Sequence, residues 1–69
     1  MRYTVVIEEG DKSFGAYVPD LPGCVAAADT RAEVVKLIHE AIDEHLQVLR
    51  EEGMPIPAPR STVEYAEVA

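Results

Sequence analysis

Four groups of side chains in this 69-residue sequence could do chemistry: Cys24, the histidines His39 and His45, the two prolines of VPDLPGC (residues 18–24), and thirteen carboxylates. A nucleophilic cysteine needs an electropositive setting and a base that keeps it as thiolate. Cys24 stands among Gly23, Val25 and alanines, so it reads as a small buried thiol, and a lone cysteine forms no internal disulfide. Two histidines four apart on a helix converge on one metal ion. His39 and His45 are six apart and do not, which leaves His45 as a hydrogen-bonded core or interface residue and His39 at a boundary. Pro19 and Pro22 spell P-x-x-P, a ligand for proline-reading domains. Asp20 and Gly23 beside them are turn residues, and a tight connection explains all four.

The carboxylates are the remaining enzymatic candidate. Two-metal hydrolysis requires several acids converging on one cleft, whereas these fall mostly on one helix face or in loops. No phosphate loop is present either, since EEGDKSFG lacks the glycine spacing and carries acids where an anion would sit. The sequence therefore predicts no catalytic residues, no metal and no cofactor. Its formal charge of −7 opposes direct nucleic-acid binding, which calls for clustered Lys and Arg. The same charge serves solubility or draws in a basic protein. A chain this short obtains only about 3–5 kcal/mol from its own core and is commonly completed by a disulfide, a metal or a partner. With no leader-like start and no apolar run of membrane length, the expectation is a soluble cytoplasmic protein, away from membranes, that assembles with itself or a partner.

The elements that would position these groups follow from periodicity. YTVVIEE (residues 3–9) alternates with Tyr3, Val5 and Ile7 on one face, GDKS turns the chain, and FGAYV (14–18) forms a second strand. After the PDLPG turn, a third strand is expected over about 23–28, its alanines admitting another layer closely. Thr30 followed by Glu33 matches a capping box, and Gly53 with Pro55 marks the end of a helix over about 31–52, roughly 33 Å long. Its apolar arc runs from Leu37 through Val34 and Ile38 to Leu46 and covers about 180° of the wheel. That is wider than one sheet requires. Either the helix also meets a second subunit, through Leu46 and Leu49, or it overhangs its sheet. A proline-rich connector over 54–60 then leads to a fourth strand over about 62–68, within a single domain spanning 1–69.

Taken together, YTVVIEEGDKSFGAYVPDLPGCVAAADTRAEVVKLIHEAI followed by LREEGMPIPAP resembles the HicB family of antitoxins, over about residues 3–60. Its most specific parts are AYVPDLPGC, the DT at 29–30, the EAI at 40–42 and GMPIPAP. The resemblance implies an α+β domain of order β-β-β-α-β, partial RNase H-like, that binds and neutralises a HicA toxin. HicA toxins resemble small double-stranded-RNA-binding domains that act on RNA through a histidine. A basic, RNA-directed partner suits an acidic inhibitor, and HicB domains commonly form homodimers or larger assemblies.

Many HicB proteins continue into a DNA-binding segment, so a chain that stops at Ala69 is not expected to repress its own promoter alone. Nuclease activity is not expected either, because the first strand has Thr4, Val5 and Val6 where RNase H chemistry needs an aspartate. The expected contact set is the exposed helix acids with their neighbour (Glu40, Asp43, Glu44, Gln47, Glu51) and the strand–turn edge (Tyr17, Asp20), while Pro19, Pro22, Gly23, Thr30, Glu33 and Gly53 are expected to shape the backbone. An orphan dimeric module without a toxin and a small metal-dependent hydrolase are the alternatives.

Overall fold

The computed structural model describes residues 1–69. Three short strands, β1 (Val6–Glu9), β2 (Phe14–Tyr17) and β3 (Val25–Ala28), precede one helix, α1 (Arg31–Glu51). The strands form one antiparallel sheet in the order β1-β2-β3. Ile7 lies opposite Ala16, and Ala16 opposite Ala26. Because side chains alternate along a strand, this row and the row Glu9–Phe14–Ala28 face α1, while Val6, Tyr17 and Val25 face away. The architecture is α+β, with α1 laid over β2 and β3. Small residues at Ala16, Ala26 and Ala28 let the helix come close.

The core is built from Ala16, Val18, Leu21, Cys24, Val34, Ile38 and Leu46. Three of these belong to the loop between β2 and β3, so that loop is part of the hydrophobic interior. Helix boundaries follow local chemistry. The Glu33 amide donates to Thr30 Oγ1 at 3.1 Å, and the Glu33 carboxylate does not return the bond, so half of the expected capping box is formed. At the other end Met54 N donates to the Leu49 carbonyl at 2.9 Å and Gly53 N to that of Arg50 at 3.2 Å, with Gly53 at φ +68°. This is a Schellman closure, which favours glycine because its backbone is left-handed.

Two strand expectations need correction. The first ladder begins at Val6, opposite Tyr17, because β2 ends there and Val18 turns to pair with Cys24; Tyr3 and Thr4 lie beyond it, their hydroxyls donating to the carbonyls of Pro57 and Ser61. No strand forms over 62–68: every residue from Thr62 to Ala69 is exposed, with Tyr65 at 88 % and Val68 at 91 %. A segment with strand pattern becomes a strand only when another strand lies beside it to receive its hydrogen bonds. In the single chain nothing does.

Candidate functional site

VPDLPGC folds as two consecutive turns. Leu21 N donates to the Val18 carbonyl at 3.1 Å and Cys24 N to the Leu21 carbonyl at 3.0 Å, while Val18 N reaches the Cys24 carbonyl at 3.2 Å. Pro19 and Pro22 each occupy the second position of a turn, where a fixed φ is pre-set, and Gly23 supplies φ +85° at the third position of the second. Leu21, wholly buried, points into the core from the junction. The prolines are consumed by this geometry. Cys24 is buried with it, and desolvation pushes its thiol above the ordinary value, so it stays protonated and unreactive at neutral pH.

Asp20 does something the sequence did not announce. Its Oδ2 accepts from the amides of Arg60 and Ser61, both at 2.9 Å, and its Oδ1 from the Ser61 hydroxyl at 2.9 Å. Thr4 Oγ1 donates to the Ser61 carbonyl at 2.7 Å, and the Tyr3 hydroxyl donates to the Pro57 carbonyl. These contacts tie the proline-rich return segment across the sheet end where β1 starts and β2 stops. The two amides, Ser61 first and Arg60 second, hold the Asp20 carboxyl below its ordinary range by stabilising the anion. Expected as a contact for a partner, Asp20 is already occupied as an internal clasp. A bond spanning 40 residues leaves no local signal that could have revealed it.

Helix α1 has two distinct surfaces. Glu40, Asp43, Glu44, Gln47 and Glu51 are all exposed and recur at three- and four-residue steps, so they form one acidic stripe. Gln47 Nε2 donates to Glu51 Oε1 at 3.1 Å within it. Tyr17 does not join this stripe, because it projects from the sheet face opposite the helix, half-exposed between Val6 and Val25. Leu46 is 8 % exposed and Leu49 packs beside the core, so both are engaged within the chain. The apolar surplus lies elsewhere, on the flank of Leu37 and Val48 and on Val25, which is 65 % exposed. Between β3 and that flank is an open hollow of about 320 Å³ lined by Cys24, Val25, Ala41, His45 and Val48, with Glu44 at its edge. His45 is half-buried there and His39 is exposed; neither forms a side-chain hydrogen bond within the chain.

No three His, Cys, Asp or Glu side chains come together in a metal-binding arrangement, and no helix is long and apolar enough to cross a membrane. What the geometry offers is a protein surface: an acidic helix stripe, a bare apolar flank and an uncovered sheet face. The family model described as HicB-like antitoxin of bacterial toxin-antitoxin system matches residues 3–68. The chain belongs to the HicB-like antitoxin family.

Three proteins from different sources are similar to this chain. The UPF0150 protein ssr1765 of Synechocystis is 39 % identical over 57 residues, covering 81 % of this chain and 72 % of its own length. The UPF0150 protein Ta0767 of Thermoplasma acidophilum is 36 % identical over 58 residues, covering 83 % and 84 %. An uncharacterised 14.9 kDa protein from the rep-hol intergenic region of Haemophilus phage HP1 is 32 % identical over 65 residues; the match takes in 94 % of this chain and 49 % of the phage protein, so the chain spans about half of that relative. Among solved structures, a chain of a HicA3 and HicB3 toxin-antitoxin complex superimposes with a TM-score of 0.72 at 35 % identity, over 87 % of this HicB-like chain and 70 % of its own.

Proposed function

We propose that this HicB-like chain is an antitoxin that binds a basic HicA-type toxin and neutralises it by covering the toxin's RNA-binding face, with no covalent step and no enzymatic turnover of its own. The observation that carries the reading is the match over residues 3–68 together with the likeness, at 35 % identity, to a chain of a toxin-antitoxin complex. The acidic stripe on α1 supports it independently. Carboxylates held along about three helical turns attract a cationic partner and penalise acidic competitors. Within this reading the domain is a partial RNase H-like unit that works in the cytoplasm, self-associates, and leaves nucleic acid to other chains. The orphan-module alternative takes its support from the apolar flank alone, and the hydrolase alternative from no feature of the fold.

Mixing the chain with a HicA-type toxin tests the proposal. A stable complex that abolishes RNA binding by the toxin is expected. Glu40→Lys combined with Glu44→Lys should slow association by about tenfold or more at low salt, with a smaller effect at high salt. If the two proteins stay separate, or the chain itself hydrolyses RNA, the reading is wrong.

A further inference from the structure

The sheet has two free edges, and the chain treats them differently. β1 carries exposed Glu8 and Glu9, and charges on an edge strand discourage further pairing. β3 reads Val-Ala-Ala-Ala, with no charge, no proline and no bulge. Beside it the helix side chains Leu37 and Val48 are exposed, and a 320 Å³ hollow lies between the start of the strand (Gly23, Cys24, Val25) and the helix at Ala41, His45 and Val48. The same chain ends in TVEYAEV, a strand-like segment whose Val63, Tyr65 and Val68 are exposed and whose backbone has no partner. An undefended edge and an unclaimed strand thus occur on one molecule.

We propose that the segment Thr62–Val68 of one copy adds as a fourth strand to the β3 edge of a second copy, with Tyr65 among the side chains entering the hollow beneath Ala41 and Val48. A two-fold axis makes the exchange reciprocal, so each copy gives one strand and receives one. The segment cannot serve its own β3 in this way. Ser61 is fixed by Thr4 at the β1 side and by Asp20. The outer edge of β3 lies about three strand spacings away, roughly 14 Å, and crossing to it would use up about four residues of the segment Thr62–Val68 itself. Its own β1 edge is nearer, since Thr62 and Val63 start out beside Arg2–Val5, but there a strand carrying Glu64 and Glu67 would run along an edge that exposes Glu8 and Glu9. The exchange gives a physical form to the self-association in the proposed function and is independent of any toxin.

The test uses the full chain without toxin. Sedimentation across a concentration series should show a dimer whose dissociation constant rises at least about tenfold in Ala66→Pro, because proline cannot donate to the ladder. Helix content should be unchanged, since residue 66 lies outside the core. In a Cys24→Ala background, equimolar chains bearing Ala27→Cys and Ala66→Cys should form a mixed disulfide, and amides within 62–68 should be protected from exchange only in the dimer. A monomer at all concentrations overturns both the exchange and the self-association. A dimer indifferent to Ala66→Pro, with an unprotected tail, or a tail protected in a monomer, overturns the exchange alone.

Discussion

Pro19 and Pro22 sit in a segment closed by its own backbone, whereas Pro55, Pro57 and Pro59 sit in one held by side chains from distant parts of the chain. In residues 18–24 three backbone hydrogen bonds are made within seven residues, and Leu21 is sealed inside. Past the helix-capping bond of Met54, residues 55–61 make no backbone–backbone hydrogen bond; Tyr3, Thr4 and Asp20 hold them instead. The first segment is a folding element. The second is a strap laid over a finished fold, and it delivers Thr62–Val68 to solvent. Similar composition has two outcomes because closure by neighbours costs little chain entropy, while closure across 40 residues depends on everything between already being in place.

The sharpest way to break this comparison is to remove one apolar anchor from each segment. Leu21→Ala deletes a fully buried side chain and should cost about 2–5 kcal/mol. That is comparable to the whole stability of about 3–5 kcal/mol that a domain of this size commands. A urea titration followed by circular dichroism should find Leu21→Ala largely unfolded before denaturant is added. Ile56→Ala, in the strap, removes a half-buried side chain and should cost about 1 kcal/mol. Equal losses would mean that the strap belongs to the core.

Backbone geometry gives a smaller effect that sharpens the same point. At Gly23, φ is +85° and an added Cβ would meet nothing within 4 Å, so Gly23→Ala reports conformational strain without a clash. The expected loss is about 1–2 kcal/mol, read as a shift in urea midpoint. Thr30→Ala removes the oxygen that accepts from the Glu33 amide and should cost about 1 kcal/mol. A loss at Thr30 larger than at Gly23 would place the decisive local signal at the helix start and not in the double turn.

Wherever the structure is governed by short-range chemistry, the sequence could be read directly. The Pro-Gly turn, the threonine cap, the glycine exit and the period change from strand to helix each reside within a few residues, and each is found in place. Tyr3, Val5 and Ile7 do share the face that meets the core. The misreadings all concern long-range partners. Leu46 and Leu49 were expected to meet a second subunit because a helical wheel shows which residues share a face but not what covers them; in the single chain Leu46 is buried near Tyr3 and Val5, while Leu37 and Val48 are exposed. Residues 62–68 have a strand's alternation, but alternation describes a face and cannot supply the neighbouring strand. Asp20 was visible as a turn residue, yet its carboxylate is directed to Arg60 and Ser61.

That clasp yields the smallest effect on global stability and the most local one. Asp20→Ala should leave the sheet and α1 intact while amide exchange at Arg60 and Ser61 accelerates by about tenfold or more, the mark of a segment that opens without unfolding the rest. Acid should mimic the substitution in one direction only. Because the two amides hold the folded carboxyl below its ordinary value of 3.8, the ionised clasp is complete at and above neutral pH and remains so down to that value. It is lost as the pH falls further, through the lowered folded value, when the carboxyl takes up its proton. The Arg60 and Ser61 amide resonances should therefore be flat from pH 7 to about 5 and move only below about 4, and in Asp20→Ala that acid step should vanish. A transition above pH 5 at these amides would show that some other group holds the strap. The two proline segments would then differ in strength but not in kind.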